Sequence, residues 1–275
     1  MSSPPDDPTT TAAIDNGRAV ANGDLCDLAL AAAHAGAHAI LRALRNGKLE
    51  IQTKADDNDF VTTADQESEQ AILRILRAAR PHDAILAEES GVHAGTSGVR
   101  WLVDPLDGTM NFVHRRRDYA VSVGVEHAGE IVAGAIVRPA DGEWAAAGGD
   151  EAFARDKEPA VSDGADLSRS LIGIGLPPTL AHRVRVHEFL GELMREARDY
   201  RRSGSSACEL LSVALGAQEG YLGFGVNMWD VAAGIAIVRA AGGTCQWVHT
   251  ESGLDVLVAG TPQVTEALVG MVKLI

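Results

Sequence analysis

The segment Trp101-Leu102-Val103-Asp104-Pro105-Leu106-Asp107-Gly108-Thr109 restricts this chain more than any other. An apolar run of strand character ends in two carboxylates, and a proline and a glycine shape the path between and after them. Asp104 is expected to leave the end of a buried strand at Trp101 to Val103. Pro105 then sets a turn, and Asp107 returns a second carboxylate to the same side. Oxygen ligands so spaced suit a hard cation such as magnesium, and Gly108 lets backbone approach a ligand closely. The amides of Gly108 and Thr109 can face a phosphate if a helix begins there. A capped turn carrying two solvated aspartates is the plainer alternative, because paired aspartates are common in turns.

Other acids stand where rigid elements can carry them to the same place. Glu88-Glu89 follows an expected strand at Ala84 to Ala87, and Asp230 follows Trp229 at the start of an apolar helix. Asp65, near the start of another helix, is a possible fourth contributor. Glu88 and Glu89 are chemically equivalent as ligands, and composition does not choose between them. Asp230 serves equally as a ligand or as a helix cap, and the Thr109 hydroxyl can orient a metal-bound water or cap a helix.

Around these groups the pattern is mixed. Residues 1–23 are rich in Ser, Pro, Asp and Thr and read as a flexible tail. Leu25, Leu28, Ala32, Ala35 and Ala39 mark a long amphipathic helix from Asp24 to about Leu44. A loop at Asp56 to Asp59 precedes a second helix, Asp65 to Arg80. Alternation at Val121, Val123 and Val125, a turn at His127 to Glu130, and a return over Ile131 to Val137 predict an antiparallel sheet backed by these two helices. The charged stretch beginning at Arg155 is the best boundary, dividing a unit over 24–155 from one over 156–275. In the second unit, strands at Leu171 to Ile174, Tyr221 to Phe224, Thr244 to Val248 and Val256 to Val258 alternate with helices at Ala181 to Arg198, Ala207 to Ala217, Asp230 to Ala241 and Thr265 to Leu274.

A formal charge of −14 disfavours nucleic acid as a partner, since binding there depends on Lys and Arg neutralising phosphates. An acidic chain and a phosphate substrate are compatible once divalent ions lie between them. The three cysteines are dispersed and offer no zinc spacing. No leader-like segment and no apolar run long enough for a membrane span is evident, so a cytoplasmic protein is expected. His34 and His38, one turn apart among alanines, read as packing residues, and Arg115 to Arg117 as a solvated turn.

Taken in order, Asp59 to Glu69, Ala87 to Ser90, Trp101 to Phe112, Arg202-Ser203-Gly204-Ser205-Ser206-Ala207, Trp229 to Gly234 and Ala241 to Gly243 resemble the inositol monophosphatase family of magnesium-dependent, lithium-sensitive phosphatases. The resemblance spans roughly Asp24 to the C-terminus. It implies an α+β or α/β fold, a layered α-β-α-β-α sandwich, usually assembled as a homodimer. It also selects the first glutamate of the pair: Glu88, Asp104 and the Leu106 carbonyl would hold one magnesium, and Asp104, Asp107 and Asp230 a second. Asp65 would help order a third, weaker ion, and Thr109, linked to Glu88, would position the attacking water. Gly108, Thr109, Asp230 and the loop Gly204, Ser205 and Ser206 would meet the substrate, a small phosphorylated metabolite.

One departure bears on specificity. Many inositol phosphatases carry a glutamate seven residues before the last metal aspartate, and here that position is Gly223. Losing that acceptor costs about 1–3 kcal/mol of discrimination, which weakens a strict preference for inositol phosphate. Histidinol phosphate, fructose bisphosphate and phosphorylated adenosine nucleotides are the alternative substrates within the superfamily. A noncatalytic small-molecule binding protein is a further class that the intact set Glu88, Asp104, Asp107, Thr109 and Asp230 argues against.

Overall fold

A computed structural model describes residues 22–46, 51–53, 60–164, 166–177 and 179–273. The first 21 residues of the tail expected over 1–23, and the loop expected at 56–59, lie outside the described residues, while residues 22 and 23 belong to a helix. Helix α1 (Asn22–Asn46) opens the fold, two residues before the expected cap. The short antiparallel pair β1 (Ile51–Thr53) and β2 (Phe60–Thr62) leads into α2 (Thr63–Ala79). Next come β3 (Ala84–Ala87), β4 (Gly91–His93), β5 (Val99–Asp107), the short α3 (Thr109–Val113), β6 (Ala120–His127), β7 (Glu130–Arg138), β8 (Glu143–Gly148) and β9 (Glu151–Ala154). The second half contains β10 (Leu171–Gly175), α4 (Leu180–Glu196), β11 (Asp199–Arg201), α5 (Ser206–Ala214), β12 (Gly220–Phe224), α6 (Met228–Ala240), β13 (Thr244–His249), β14 (Asp255–Gly260) and α7 (Pro262–Val272).

The larger sheet runs β4-β3-β5-β6-β7-β8-β9, with β3 and β5 parallel and the other pairs antiparallel. The smaller runs β11-β10-β12-β14-β13, and its first three strands are parallel. The turn expected at His127 to Glu130 is present. Ala128 and Gly129 both take positive φ, 54° and 85°, the combination whose twist matches a two-residue hairpin. Strands β4 and β11, three residues each, carry too little pattern to be read in advance.

Alternation along the strands builds the layers. Val121, Val123 and Val125 of β6 join Ala29, Ala33 and Ile40 of α1 and Ile72 and Leu76 of α2 in one apolar core. The opposite face of the same sheet, with Ala120 and Ile136, packs against α5 and α6 through Leu210, Leu211, Val231 and Ile235, and Tyr221 and Leu257 of the smaller sheet close that core from beyond. A third core joins α4 and α7 to the outer face of the smaller sheet through Phe189, Leu193, Leu222, Val258 and Leu268. The result is the α-β-α-β-α sandwich that the resemblance implies.

How α6 sits on the larger sheet decides where the site can form. Gly124 and Gly134 face each other across β6 and β7. A Cβ on Gly124 would lie 2.5 Å from the Ala232 Cβ, and one on Gly134 2.5 Å from the Ala233 Cα. The two missing side chains leave room for the helix backbone to lie on the sheet, and the Ser122 hydroxyl donates to the Trp229 carbonyl at 3.1 Å. The N-terminus of α6 is thereby held beside the end of β5.

Candidate active site

Strand β5 does not end at Val103 as expected but continues to Asp107, and Pro105 lies within it. Residues three apart on a regular strand point to opposite faces. Here Asp104 pairs with Ser122 and Asp107 with Ala120, so β5 carries one residue more than β6 over this interval. That bulge restores both carboxylates to one side and is a place where a sheet tolerates proline. The anticipated turn is therefore a bulged strand with the anticipated consequence. The Leu106 amide donates to Asp104 Oδ1 at 3.0 Å, and Ser68 Oγ of α2 donates to the Pro105 carbonyl at 2.7 Å, tying the bulge from within and behind.

Parallel pairing of β3 with β5 sets Ala87 opposite Val103, and the Glu88 amide donates to the Val103 carbonyl at 3.0 Å. Glu88 thus begins beside Asp104, and its charge acts on Asp65, Asp104, Asp107 and Asp230 alike. The Glu89 amide instead donates to Glu69 Oε2 at 3.0 Å.

Asp65 and Asp230 arrive by the same local device. Each is the third residue of its helix and accepts the amide of the capping residue, Thr62 at 2.8 Å and Asn227 at 3.0 Å. Acids favour this position because four amides and the helix dipole face them. The cap and ligand readings of Asp230 are therefore compatible, since the backbone cap bond uses a single carboxylate oxygen, Oδ2. The Thr109 hydroxyl lies 3.1 Å from Asp65 Oδ1 and 3.0 Å from the Leu106 carbonyl.

The loop before α5 also holds one of the acids. The Ser205 hydroxyl donates to Asp107 Oδ2 at 2.6 Å and accepts the Cys208 amide at 3.1 Å, capping α5. The Ala207 amide donates to the same Asp107 oxygen at 2.6 Å. Ser205 thus positions Asp107, and Gly204, Ser205 and Ser206 also line a cavity beside the acids. Gly204 (φ 88°) and Gly108 (φ 91°) occupy the left-handed region. A Cβ on Gly108 would lie 2.8 Å from the Asp118 carbonyl, so its close approach is to the chain itself. The neighbouring Asn111 bridges the Asp118 and Ser203 carbonyls at 2.6 and 2.9 Å.

Burial and mutual repulsion dominate the electrostatics. Asp104 is 2 % exposed and Asp65 fully buried. Burial pushes the Asp104 carboxyl well above the usual range, reinforced by Glu88, Asp107 and Asp230, and burial and Asp107 do the same for Asp230. Asp107 is raised to about 7 by burial, against the opposing bonds from Ser205 and Ala207. Asp65 is raised to about 6 by burial, opposed by the Thr62 and Thr109 bonds. Among the described residues no three such side chains are drawn into a ready-made ligand cage. The donor chemistry nonetheless fits a hard divalent cation. It consists of carboxylates and a carbonyl, and burying so many acids together is costly unless positive charge joins them.

A cavity of about 260 Å³ opens beside these acids, lined by Asp230, Asn227, Ser206, Glu209, Arg202 and Ile174 among others. It lies at the carboxyl ends of the parallel strands β10, β11 and β12, where ligands gather in sheets of this type. The residues that position the acids, Ser68, Ser122, Gly124 and Gly134, were not marked as functional in the sequence, because their partners are distant along the chain. His34 and His38 lie apart from the site, with His34 edge-on to Trp144.

Fold and site define a five-layer protein with a buried carboxylate centre on the larger sheet and a cavity of about 260 Å³ beside it. The chain belongs to the inositol monophosphatase family, whose pattern matches residues 23–270. It is similar to an inositol-1-monophosphatase of Mesorhizobium japonicum, 40% identical over 227 residues that cover 78% of this chain and 83% of that one. It is also similar to the Nus factor SuhB of Pasteurella multocida, 32% identical over 256 residues, 90% of this chain and 96% of that one. The crystal structure of the extragenic suppressor protein suhB of Bartonella henselae superposes with a TM-score of 0.83 at 32% identity, covering 91% of this chain and 98% of that one.

Proposed function

We propose that this protein is a magnesium-dependent phosphomonoesterase that hydrolyses inositol monophosphate or a related small polyol or sugar phosphate. The observation that carries the reading is the meeting of Asp104 and Asp107 from β5, Glu88 from the end of β3, and Asp230 from α6 in mutual repulsion. Glu88, Asp104, Asp107, Asp230 and the Leu106 carbonyl would hold two magnesium ions, and Asp65 would help order a third. Bound there, the ions supply the charge that accepts a phosphate ester, activates water and stabilises the departing oxygen.

The chain's own groups supply orientation. Thr109, directed by Asp65 and the Leu106 carbonyl, is set to hold a water next to the ester. Ser205 and the Ala207 amide keep Asp107 in one rotamer, and the capping box does the same for Asp230. The cavity beside Asp230 has the scale of a small metabolite. A homodimer in the cytoplasm, with units over 24–155 and 156–275 both contributing to the site, completes the proposal.

Phosphate release from inositol 1-phosphate, histidinol phosphate, fructose 1,6-bisphosphate and 3'-phosphoadenosine 5'-phosphate, with and without magnesium and with lithium added, tests it. Magnesium-dependent, lithium-inhibited release with the highest kcat/KM on a polyol or sugar phosphate is expected. Preference for the nucleotide or for histidinol phosphate would overturn the substrate assignment. The name of the Pasteurella relative supports a second reading, a Nus-factor role, which absence of release across the panel would favour.

A further inference from the structure

Gly223 offers no side-chain acceptor to a substrate hydroxyl, and two other side chains occupy the space above it and its neighbours. Gly173 and Gly175 of β10 pair in register with Tyr221 and Gly223 of β12. A Cβ on Gly223 would lie 2.9 Å from the Tyr221 ring, one on Gly175 2.5 Å from the Tyr221 hydroxyl, and one on Gly173 2.5 Å from Glu209 Oε2. Three bare positions on two adjacent strands thus let Tyr221 and Glu209 lie close over the sheet. A longer side chain at position 223 has no room while Tyr221 stays where it is.

Ser206 and Glu209, three residues apart on α5, share a face of that helix, and both line the cavity. Glu209 is 3 % exposed. Its Oε1 accepts the Ser203 amide at 2.6 Å, and its Oε2 accepts the buried Gln218 side chain at 3.0 Å, which also donates to the Glu209 carbonyl at 3.1 Å. A carboxylate accepts about four hydrogen bonds, so these two fix the group in place and leave it able to accept more. Tyr221 is fully buried, and its hydroxyl donates to Ser206 Oγ at 2.8 Å. With a lone pair used by Tyr221, and no acceptor for the Ser206 proton among the described residues, that proton is left for the cavity.

We propose that Glu209 and Ser206 are the pair that recognises substrate hydroxyls in this cavity, Glu209 accepting from one hydroxyl and Ser206 donating to the same or an adjacent one, with Gln218 and Tyr221 as the residues that position them. The acceptor absent from β12 is thereby supplied from α5. A hydroxyl both donates and accepts, whereas a plain alkyl carbon does neither and leaves both buried groups unpaired, which is how a site rejects an analogue that lacks the hydroxyl. A second anionic group brings no proton for Glu209. The inference rests on the phosphatase reading of the site and adds to it the side chains that read the polyol.

Two matched pairs of probes differ only in hydroxyls: inositol 1-phosphate against cyclohexyl phosphate, and glycerol 1-phosphate against propyl phosphate. With the full chain and magnesium, at least one hydroxylated ester is expected to exceed its partner in kcat/KM by about tenfold or more, the scale of one hydrogen bond to a charged group. Glu209→Gln and Ser206→Ala should each lower that ratio several-fold, mainly through KM of the hydroxylated ester, and Tyr221→Phe should lower it by less. A purely structural role for these residues would slow both esters alike and leave the ratio where it was. If Glu209→Gln does not fold, Glu209→Asp, one methylene shorter, is read in its place. Wild-type ratios near one for both pairs, or a ratio that either the Glu209 or the Ser206 variant leaves unchanged, would overturn the inference while the phosphatase reading stands. If no ester is hydrolysed, that reading falls, and calorimetric binding of the same pairs to wild type and Ser206→Ala decides the matter. Tighter binding of a hydroxylated ester that is lost in the variant would support the inference, and equal binding of both partners would end it.

Discussion

Replacing Gly134 by alanine puts a carbon 2.5 Å from the Ala233 Cα and 3.0 Å from its Cβ. Carbon atoms settle at about 3.5–4.0 Å, so α6 must lift from the larger sheet by roughly 1 Å. Overpacking of this kind costs about 1–3 kcal/mol, and at roughly 2–4 °C per kcal/mol the melting temperature should fall by several degrees. The functional effect should be larger than the structural one, because the same helix carries Asp230 two residues into its first turn. A misplacement near 1 Å can cost about 10²-fold in rate. Phosphate release at saturating magnesium, with calorimetric melting of the same sample, reads both effects. Gly129→Ala is the control: a Cβ there meets nothing within 4 Å, although φ is 85°, so it should cost some stability and no activity. Gly134→Ala turning over within a factor of about two of wild type would refute the claim that the glycine pair seats Asp230.

Three further outcomes follow from the site. Asp104→Asn should nearly abolish turnover while circular dichroism shows the fold intact, and unchanged turnover at saturating magnesium would remove the mechanism. Ser205→Ala deletes both a bond to a buried carboxylate and a helix cap through one hydroxyl, so denaturant titration should show a loss of about 1–3 kcal/mol. Asp65 and Asp107 are raised to about 6 and 7, so in metal-free protein they bind protons more tightly folded than unfolded. Their contribution is fully present below the unfolded carboxylate range and is lost as pH rises through those values. The chelated protein should therefore melt lower at about pH 7.5 than at about pH 5, and magnesium should lessen or reverse that difference by displacing protons. A melting temperature that rises over this range without metal would contradict the placement of these acids.

What was legible in advance follows the distance over which each feature is decided. The helices and most strands are set by local periodicity, and Val121, Val123 and Val125 point into one core as their spacing requires. That Asp104 and Asp107 share a side was legible from the proline and glycine around them. The bulge that accomplishes it depends on register with β6 and on Ser68, 37 residues away, and no local pattern announces it. Chemistry leaves Glu88 and Glu89 equivalent, and only the resemblance favours Glu88. The pairing of β3 with β5 starts Glu88 next to Asp104, a placement decided by strand register. The reading of Ser205 as a substrate contact comes from the resemblance alone, and its bond to Asp107, 98 residues earlier, has no local sign in the sequence. Gly124 and Gly134 carry no local sign that α6 rests on them, because Ala232 and Ala233 lie far along the chain.

The most direct measurement is the anomalous scattering of a crystal soaked in manganese, an ion that takes the same oxygen ligands as magnesium. Peaks bounded by Glu88, Asp104, Asp107 and Asp230, at coordination distance from carboxylate oxygens of β5 and α6 together, are expected. No peak there, or density bound only to exposed acids elsewhere, would show that these buried carboxylates are not a metal centre.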